Sequence, residues 1–304
     1  MSQATFTGCG TAMVTPFKRD LSLDEPTFRQ LVRRQIAQGI HFLVPCGTTG
    51  ENPTLSRAEH LRVVEITLEE VKGKVPVLAG CGGYNTAEVI ELGNELRAMG
   101  ADGLLSVTPY YNKPTQEGLY QHYKAIAAAV PLPIVVYSVA GRTGVNVEPA
   151  TLKRLAAIDN IVGVKEASGN VGQIAAVIQE VPERFNVLSG DDVLTIPVAV
   201  LGGRGVISVL SNEIPSEMAR LTQLAMNGDY AGARAIQRKY FDLMQGNFIE
   251  SNPGPVKAAM AMMGLLDPVF RLPLVAPSEA NTAKIEAILR SVGLISASRS
   301  THAD

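Results

Sequence analysis

The residue whose type and surroundings point most directly to chemistry is Lys165. It follows the apolar run Val162-Gly163-Val164, where a charge is costly. Burial lowers the pKa of a lysine and so favours the neutral amine, which is the form that attacks carbonyls. Such an amine forms an imine with a keto substrate, and the protonated imine then stabilises a carbanion. The alternative is an ion pair with Glu166 or Asp191, although strand alternation directs Glu166 away from Lys165.

Four further side chains follow other apolar segments. Tyr137 ends such a segment, and its phenol is suited either to moving protons or to packing in a core. Thr48 and Thr49 lie between two glycines, in a turn that offers hydroxyls to a carboxylate or to a proton relay. Arg142 also lies between glycines, where a guanidinium can bind a carboxylate through two hydrogen bonds or remain solvated. These groups are suited to carbanion chemistry on a keto substrate, and each of them also has a purely structural alternative.

The elements that must position these residues alternate along the chain. A short apolar segment, a turn and an amphipathic segment of helical length recur, which is typical of βα units. The pattern predicts strands at 11–14, 42–45, 75–79, 103–107, 134–137, 161–164, 185–188 and 205–208. It predicts helices at 25–38, 57–71, 87–99, 117–129 and 149–157, and Ser56 and Glu59 have the spacing of a capping box.

Eight such units predict a closed (β/α)8 TIM barrel, an α/β fold, rather than an open doubly wound sheet. No Gly-x-Gly-x-x-Gly turn follows the first strand, which counts against dinucleotide binding. We predict a barrel domain over 1–227 that carries the active site, and a C-terminal helical domain over 228–304 with helices at 229–245, 255–263 and 278–292. Active sites of such barrels lie at the carboxyl ends of the strands, where the candidate residues fall.

Composition excludes several other classes of protein. The 304 residues are 46% hydrophobic and 18% charged, which is typical of a globular chain, and the net charge of -2 favours neither nucleic acid nor an anionic membrane as a partner. No signal peptide or membrane-spanning run is evident, so we expect a cytoplasmic protein. Three distant cysteines, Cys9, Cys46 and Cys81, and four scattered histidines predict neither a disulfide framework nor a metal site.

The joint motif set resembles that of the pyruvate-dependent class I aldolase superfamily and, within it, the dihydrodipicolinate synthase family. The resemblance covers essentially the whole chain, beginning at GTAMVTPF (10–17). Its most specific elements are GTTGE (47–51), VTPYYNKP (107–114), Tyr137 with Arg142-Thr143-Gly144, and GVKEASGN (163–170).

The resemblance implies an enzyme that condenses pyruvate with L-aspartate 4-semialdehyde to give 4-hydroxy-tetrahydrodipicolinate, in the diaminopimelate route to lysine. It implies that Lys165 forms the Schiff base with pyruvate, without metal or organic cofactor, and that Tyr137, Thr48 and Tyr111 form a proton relay. In the family the tyrosine that matches Tyr111 enters the neighbouring subunit's site across a tight dimer interface. The family's usual assembly is a homotetramer, a dimer of dimers.

The same resemblance implies the substrate contacts. Arg142 is expected to bind the carboxylate of the semialdehyde, while Thr49, Gly190 and Ile207 line the pyruvate pocket. One segment departs from the family pattern, because Ser138-Val139-Ala140-Gly141 replaces its usual Asn-Val-Pro. Loss of proline and gain of glycine predict a more mobile loop before Arg142.

The family's feedback site for lysine is matched by His60, Glu88 and Tyr110. Arg57 does not match and would place a cation near a cationic ligand, so we expect inhibition by L-lysine to be weak or absent. Two other functions compete with the synthase. A sugar-acid aldolase would use a longer hydroxylated aldehyde, and a keto-acid binder would use Lys165 only as an ion-pair partner. The combination of Thr48, Tyr111 and Arg142 favours the synthase.

Overall fold

Eight parallel strands form one sheet that closes into a barrel. The computed structural model describes residues 6–296. The strands are β1 Gly8–Ala12, β2 Phe42–Val44, β3 Leu78–Gly80, β4 Gly103–Val107, β5 Ile134–Ser138, β6 Ile161–Glu166, β7 Asn186–Ser189 and β8 Gly205–Ser208. Their order is β2-β1-β8-β7-β6-β5-β4-β3, and a parallel bridge between Leu43 and Val77 joins the two ends. The predicted (β/α)8 barrel is confirmed.

Helices connect the strands and continue beyond the last one. They are α1 Glu25–Ala37, α2 Arg57–Val71, α3 Thr86–Met99, α4 Gln116–Ala129, α5 Ala140–Thr143, α6 Pro149–Leu155, α7 Val171–Glu180, α8 Thr195–Val200, α9 Pro215–Met226, α10 Tyr230–Gly246, α11 Gly254–Met262 and α12 Glu279–Ser291. The capping box at the start of α2 is confirmed, because Ser56 Oγ accepts from Glu59 N and Glu59 Oε2 accepts from Ser56 N.

Two strands lie away from their predicted positions. The first begins at Gly8 rather than residue 11, because glycines there weaken the apolar signal but permit close pairing. A Cβ on Gly205 would lie 1.9 Å from Gly8 O, so only glycine allows β1 and β8 to approach in this way. The third begins at Leu78 rather than residue 75, since Pro76 has no N–H to donate to a ladder.

The buried side chains form two layers separated by the sheet. Phe42, Leu78, Leu188 and Ile207 pack inside the barrel, and a larger cluster fills the space between the strands and the helices. Alternation along β5 places Tyr137 in the inner layer. Because β5 and β6 pair in parallel, the register of the two strands determines which side chain of β6 lies beside Tyr137.

The helices α10, α11 and α12 follow the barrel in the positions predicted at 229–245, 255–263 and 278–292, with ends shifted by one residue. Helix α10 packs on α9 and α12, and α11 packs on α12. The division into domains 1–227 and 228–304 stays a prediction. Residues 297–304 of the second domain lie outside the part that the structure describes. Within residues 6–296, no helix combines the length and apolar character needed to cross a membrane.

Candidate active site

Lys165 and Tyr137 form the centre of the site. They are register partners on β6 and β5, and Lys165 Nζ lies 4.3 Å from the centroid of the Tyr137 ring. The lysine side chain is buried, with 5% of its surface exposed. The electron-rich face of a phenol attracts a cation at this distance. The strand pairing therefore brings an amine and a phenol together inside the carboxyl end of the barrel.

The ion-pair alternative for Lys165 is wrong for the described residues. None of the ion pairs among residues 6–296 includes Lys165. Glu166 alternates to the other side of the strand, where it accepts from Ser168 Oγ at 3.0 Å and from Gln173 Nε2 at 2.8 Å. Burial raises the pKa of Glu166. Among the residues that the structure describes, the amine of Lys165 thus has no carboxylate partner.

Most of the predicted site residues share one cavity of about 130 Å³. Its lining is Thr48, Thr49, Tyr137, Val139, Arg142, Lys165, Ala167, Gly190, Asp191, Val209, Phe248 and Asn252. An adjoining cavity of about 230 Å³ shares Thr48, Tyr137 and Arg142 with the first and extends to Tyr110. The two cavities together give a small keto acid and a second substrate adjacent places above the barrel.

The turn that carries Thr48 and Thr49 is held by residues distant in sequence. Asn252 Nδ2 donates to Thr49 Oγ1 at 2.9 Å, and Thr15 Oγ1 donates to Gly50 O at 2.7 Å. At the end of the turn, Glu51 has a φ of 55° and its carboxylate lies 2.5 Å from Lys257 Nζ. Both of these charged side chains are fully buried. The turn and the Thr49 hydroxyl are therefore positioned by a polar framework.

Arg142 lies at the rim of the cavity on a short helix. The segment Ser138-Val139-Ala140-Gly141 ends β5 and begins α5, so it adopts a helical turn in this structure. The Arg142 side chain is exposed, and its Nη2 donates to Asn252 O at 3.2 Å. A guanidinium placed in this way has donors left for a carboxylate. The predicted effect of the unusual segment on aldehyde specificity stays a prediction.

Gly190 and Ile207 differ in their relation to the cavity. Gly190 lines it and donates its N–H to Glu166 O at 2.8 Å, which fixes β7 against β6. Ile207 is fully buried inside the barrel in the same cluster as Tyr137, and it is not among the residues that line the cavity of Lys165. Any contact between Ile207 and pyruvate stays a prediction.

Tyr111 lies apart from the other predicted relay residues. Its side chain is 90% exposed, its φ is 64°, and it lines neither of the two cavities. The neighbouring Tyr110 packs edge-to-face on Tyr84, with ring centroids 5.2 Å apart. Within one chain, Tyr137 and Thr48 are therefore together, and Tyr111 projects away from them.

Of the residues that match the feedback site, Tyr110 lines the second cavity and His60 contacts Asn52, which also lines it. His60 is buried, its Nδ1 lies 2.8 Å from Asn52 Oδ1, and burial lowers the pKa of its imidazole to about 4. Burial, together with the nearby Tyr84 and Glu88, raises the pKa of the Tyr110 phenol. The His60 imidazole and the Tyr110 phenol are therefore both neutral at neutral pH.

Arg57 is not an isolated cation in this region. Its Nε lies 3.0 Å from Glu95 Oε2, so a carboxylate partly offsets its charge. A cationic effector near Arg57 would therefore also meet the carboxylate of Glu95. The prediction of weak or absent inhibition by L-lysine therefore has less electrostatic support than the sequence suggested.

Sequence reasoning missed several residues of this cavity, two of them in the C-terminal region. Phe248 and Asn252 line the cavity of Lys165, although they follow α10 in the C-terminal region. Asn252 is about 200 positions from Thr49, with which it shares a hydrogen bond. No local spacing or periodicity links residues so far apart, and the local signal is limited to an asparagine before Pro253, between the helices predicted at 229–245 and 255–263.

A buried amine beside a phenol at the carboxyl end of a parallel barrel, with a guanidinium at the rim, is the arrangement of a class I aldolase. The family model for the dihydrodipicolinate synthetase family matches residues 5–292. The chain belongs to this family.

Individual relatives agree with the family assignment. The 4-hydroxy-tetrahydrodipicolinate synthase of Koribacter versatilis is 53% identical over 95% of this chain and 96% of its own length. The structure of the chloride-inhibited dihydrodipicolinate synthase from Acinetobacter baumannii complexed with pyruvate has a TM-score of 0.94 and 43% identity, over 96% of this chain and 100% of that one. The enzyme from Cyanidioschyzon merolae with lysine bound has a TM-score of 0.92 and 37% identity, over 95% and 99%.

Proposed function

We propose that the chain is a lyase that condenses pyruvate with L-aspartate 4-semialdehyde to give 4-hydroxy-tetrahydrodipicolinate, in diaminopimelate and lysine biosynthesis. The observation that carries this proposal is the cavity in which Lys165, Tyr137, Thr48, Thr49 and Arg142 meet. The names of the relatives support the reaction, and the pyruvate in the Acinetobacter baumannii structure supports the first substrate. The sugar-acid aldolase and the keto-acid binder have no comparable support.

In the first half of the reaction, Lys165 Nζ attacks the keto carbon of pyruvate and water leaves, which gives a protonated imine. Loss of a methyl proton then gives an enamine, because the imine nitrogen accepts the electron pair. Thr49 and Gly190 line the cavity near this carbon skeleton, and Ile207 supports it from inside the barrel. The imine nitrogen is the electron sink, so the mechanism requires neither a metal nor an organic cofactor.

In the second half, the enamine carbon attacks the aldehyde carbon of the semialdehyde, and the aldehyde oxygen takes a proton. Arg142 holds the carboxylate of this substrate. The amino group of the new adduct then attacks the imine carbon and displaces Lys165, which closes the ring. One water is lost overall, and the lysine amine is regenerated.

Proton transfers in both halves are assigned to Tyr137, Thr48 and Tyr111. The first two lie in the cavity, whereas Tyr111 projects from its own chain with 90% of its side chain exposed. We therefore propose that Tyr111 completes the relay of a second copy across a tight dimer interface, within a homotetramer. An exposed tyrosine offers a large apolar area, and its positive φ is a strained conformation. Both features support a role for Tyr111 in a contact with another subunit.

Two further assignments belong to this proposal. His60, Glu88 and Tyr110 are proposed as a site for L-lysine, by analogy with the lysine-bound structure from Cyanidioschyzon merolae. The substrates and product are small metabolites, so we propose that the protein acts in the cytoplasm, without nucleic acid or membrane partners. The net charge of -2 supports this assignment.

Borohydride reduction in the presence of pyruvate tests the proposed function. We expect a mass increase on the peptide that contains Lys165, and loss of both this adduct and pyruvate consumption with the semialdehyde in Lys165→Ala. Lys153→Ala is the matched control, because Lys153 is an exposed lysine that pairs with Glu180 at the surface. An unmodified Lys165 in the folded wild-type protein would contradict the proposal.

A further inference from the structure

One polar atom in the wall of the active-site cavity lacks a partner. Asn252 is 4% exposed and lines the cavity of Lys165. Its Nδ2 donates to Thr49 Oγ1 at 2.9 Å, whereas Asn252 Oδ1 is buried and accepts no hydrogen bond from residues 6–296. A buried acceptor left in this state costs free energy. An acceptor of this kind in a substrate cavity indicates a donor on the substrate.

The position of Asn252 beside Arg142 indicates which group of the substrate is the donor. Arg142 Nη2 donates to the backbone oxygen of Asn252 at 3.2 Å, so the amide and the guanidinium are neighbours at the cavity. In an α-amino acid, the ammonium and the carboxylate are bonded to the same carbon. A substrate whose carboxylate oxygens are held by Arg142 therefore has its ammonium nitrogen only three bonds away from those oxygens, on the same side of the cavity as Asn252.

The backbone around Asn252 holds the amide in place. Asn252 directly precedes Pro253 and α11, and Lys257 on this helix forms the buried ion pair with Glu51. Two links, Asn252 to Thr49 and Lys257 to Glu51, thus connect the same two chain segments. A polar group positioned in this way loses little conformational entropy when it binds a substrate.

We propose that Asn252 is a specificity-determining residue for the second substrate, and that its Oδ1 accepts a hydrogen bond from the α-ammonium of L-aspartate 4-semialdehyde. This inference rests on the proposed function and deepens it. The contact selects an α-amino aldehyde over an aldehyde acid that lacks the amino group. It also orients the nitrogen that later attacks the imine carbon.

Asp191 is the competing acceptor in the same cavity. Its Oδ1 already accepts from Val193 N at 3.1 Å, and burial raises the pKa of its carboxyl. A carboxylate would bind an ammonium strongly, so the experiment must separate the two residues. Asp191→Asn is therefore compared with Asn252→Ala in each assay.

The assay compares two aldehydes that differ only in the amino group. KM is measured for L-aspartate 4-semialdehyde, and Ki is measured for 4-oxobutanoate as its competitor, in the wild-type enzyme and in Asn252→Ala. We expect KM to rise about 10- to 100-fold in the variant while Ki stays within twofold, because a hydrogen bond to a charged group is lost. Asn252→Asp, which keeps an acceptor, is expected to restore most of the affinity. Asn94→Ala is the control, because this variant also loses a side-chain amide, one that donates to Ile90 O within a helix.

Borohydride trapping of pyruvate on the same variants distinguishes the alternatives. We expect Asn252→Ala to form the Lys165 adduct at the same pyruvate concentration as the wild-type enzyme. The proposal would be overturned by equal increases of KM and Ki or by an unchanged KM in Asn252→Ala. Loss of the adduct in this variant would also overturn it, because Asn252 would then act through Thr49. An amine-specific loss confined to Asp191→Asn would also overturn it. Absence of the adduct in the wild-type enzyme would instead refute the proposed function, and this inference with it.

Discussion

Removing the cation of the buried ion pair tests how the GTTGE turn is held. Lys257 Nζ lies 2.5 Å from Glu51 Oε1 and donates to Thr15 O at 3.1 Å, and both charged side chains have no exposed surface. Burial lowers the pKa of Lys257, while the Glu51 carboxylate opposes this shift. Lys257→Met keeps an unbranched side chain and removes the charged terminal group. The Phe17 ring, 4.6 Å from Nζ, gives the methionine an apolar neighbour.

The expected cost follows from the carboxylate that remains. Breaking a buried pair by removing one partner leaves an uncompensated charge, which costs about 3–5 kcal/mol. This is a large share of the ~5–15 kcal/mol by which a folded chain is stable. Replacing both partners, in Glu51→Gln with Lys257→Met, removes the unpaired charge. We therefore expect the double variant to be more stable than the single Lys257→Met variant.

Urea denaturation followed by circular dichroism measures the difference, at one protein concentration because subunit association contributes to stability. Lys153→Met is the matched control. Lys153 also pairs with a glutamate, Glu180, at 2.7 Å, but their side chains are 63% and 42% exposed. Exposed pairs contribute about 0–1 kcal/mol, so we expect a loss below about 1 kcal/mol in this control.

The reasoning would be refuted by either of two results. A loss below about 1 kcal/mol in Lys257→Met would show that the pair behaves like an exposed one. A double variant that is less stable than the single one would show that the unpaired charge is not the source of the cost. Kinetics add a further expectation, because a displaced turn moves Thr49 and should raise KM for pyruvate in Lys257→Met but not in the control.

Three further predictions concern other parts of the fold. Gly190→Ala should lower kcat/KM for pyruvate at least tenfold in steady-state assays, because the new Cβ would lie 2.5 Å from Ala167 Cβ and displace the cavity wall. Glu213→Gln should become more stable relative to the wild type as the pH rises from 5 to 9, by up to about 4 kcal/mol in urea titrations. Burial raises the pKa of Glu213 to about 8, so over most of this range the native state binds a proton that the unfolded state has released. The wild type therefore loses stability as the pH rises, and the glutamine variant does not. Ser56→Ala should lower the free energy of unfolding by about 1 kcal/mol, since the bond from Glu59 N at the start of α2 is lost.

Each of these has an outcome that would contradict it. Normal pyruvate kinetics in Gly190→Ala would mean that the wall adjusts without cost to the site. A stability difference between Glu213→Gln and wild type that does not change with pH would mean that the carboxyl titrates alike in the folded and unfolded chain. A Ser56→Gly variant is the reference for the cap, and it should lose only a few tenths of a kcal/mol. Equal losses in the alanine and glycine variants would argue against the capping reason.

The βα units of the scaffold and the buried position of Lys165 were predictable from local sequence. Apolar period and turn residues are properties of neighbouring positions, so they predicted the eight βα units and the capping box of Ser56. The position of Lys165 at the end of an apolar strand predicted a buried amine, and alternation predicted that Glu166 points away from it. The motifs around Thr48, Tyr137 and Arg142 then identified the family.

Other features depend on contacts between distant residues. The pairing of β5 with β6 sets the 4.3 Å separation of Lys165 and Tyr137, and neither strand alone contains this information. The approach of the C-terminal region likewise brings Asn252 to Thr49 and Lys257 to Glu51, more than 200 positions apart. Local patterns predict elements because hydrogen bonding and amphipathicity act between near neighbours. Which polar atoms meet in the cavity, and which one is left without a partner, is decided only when the barrel closes and the last helices pack.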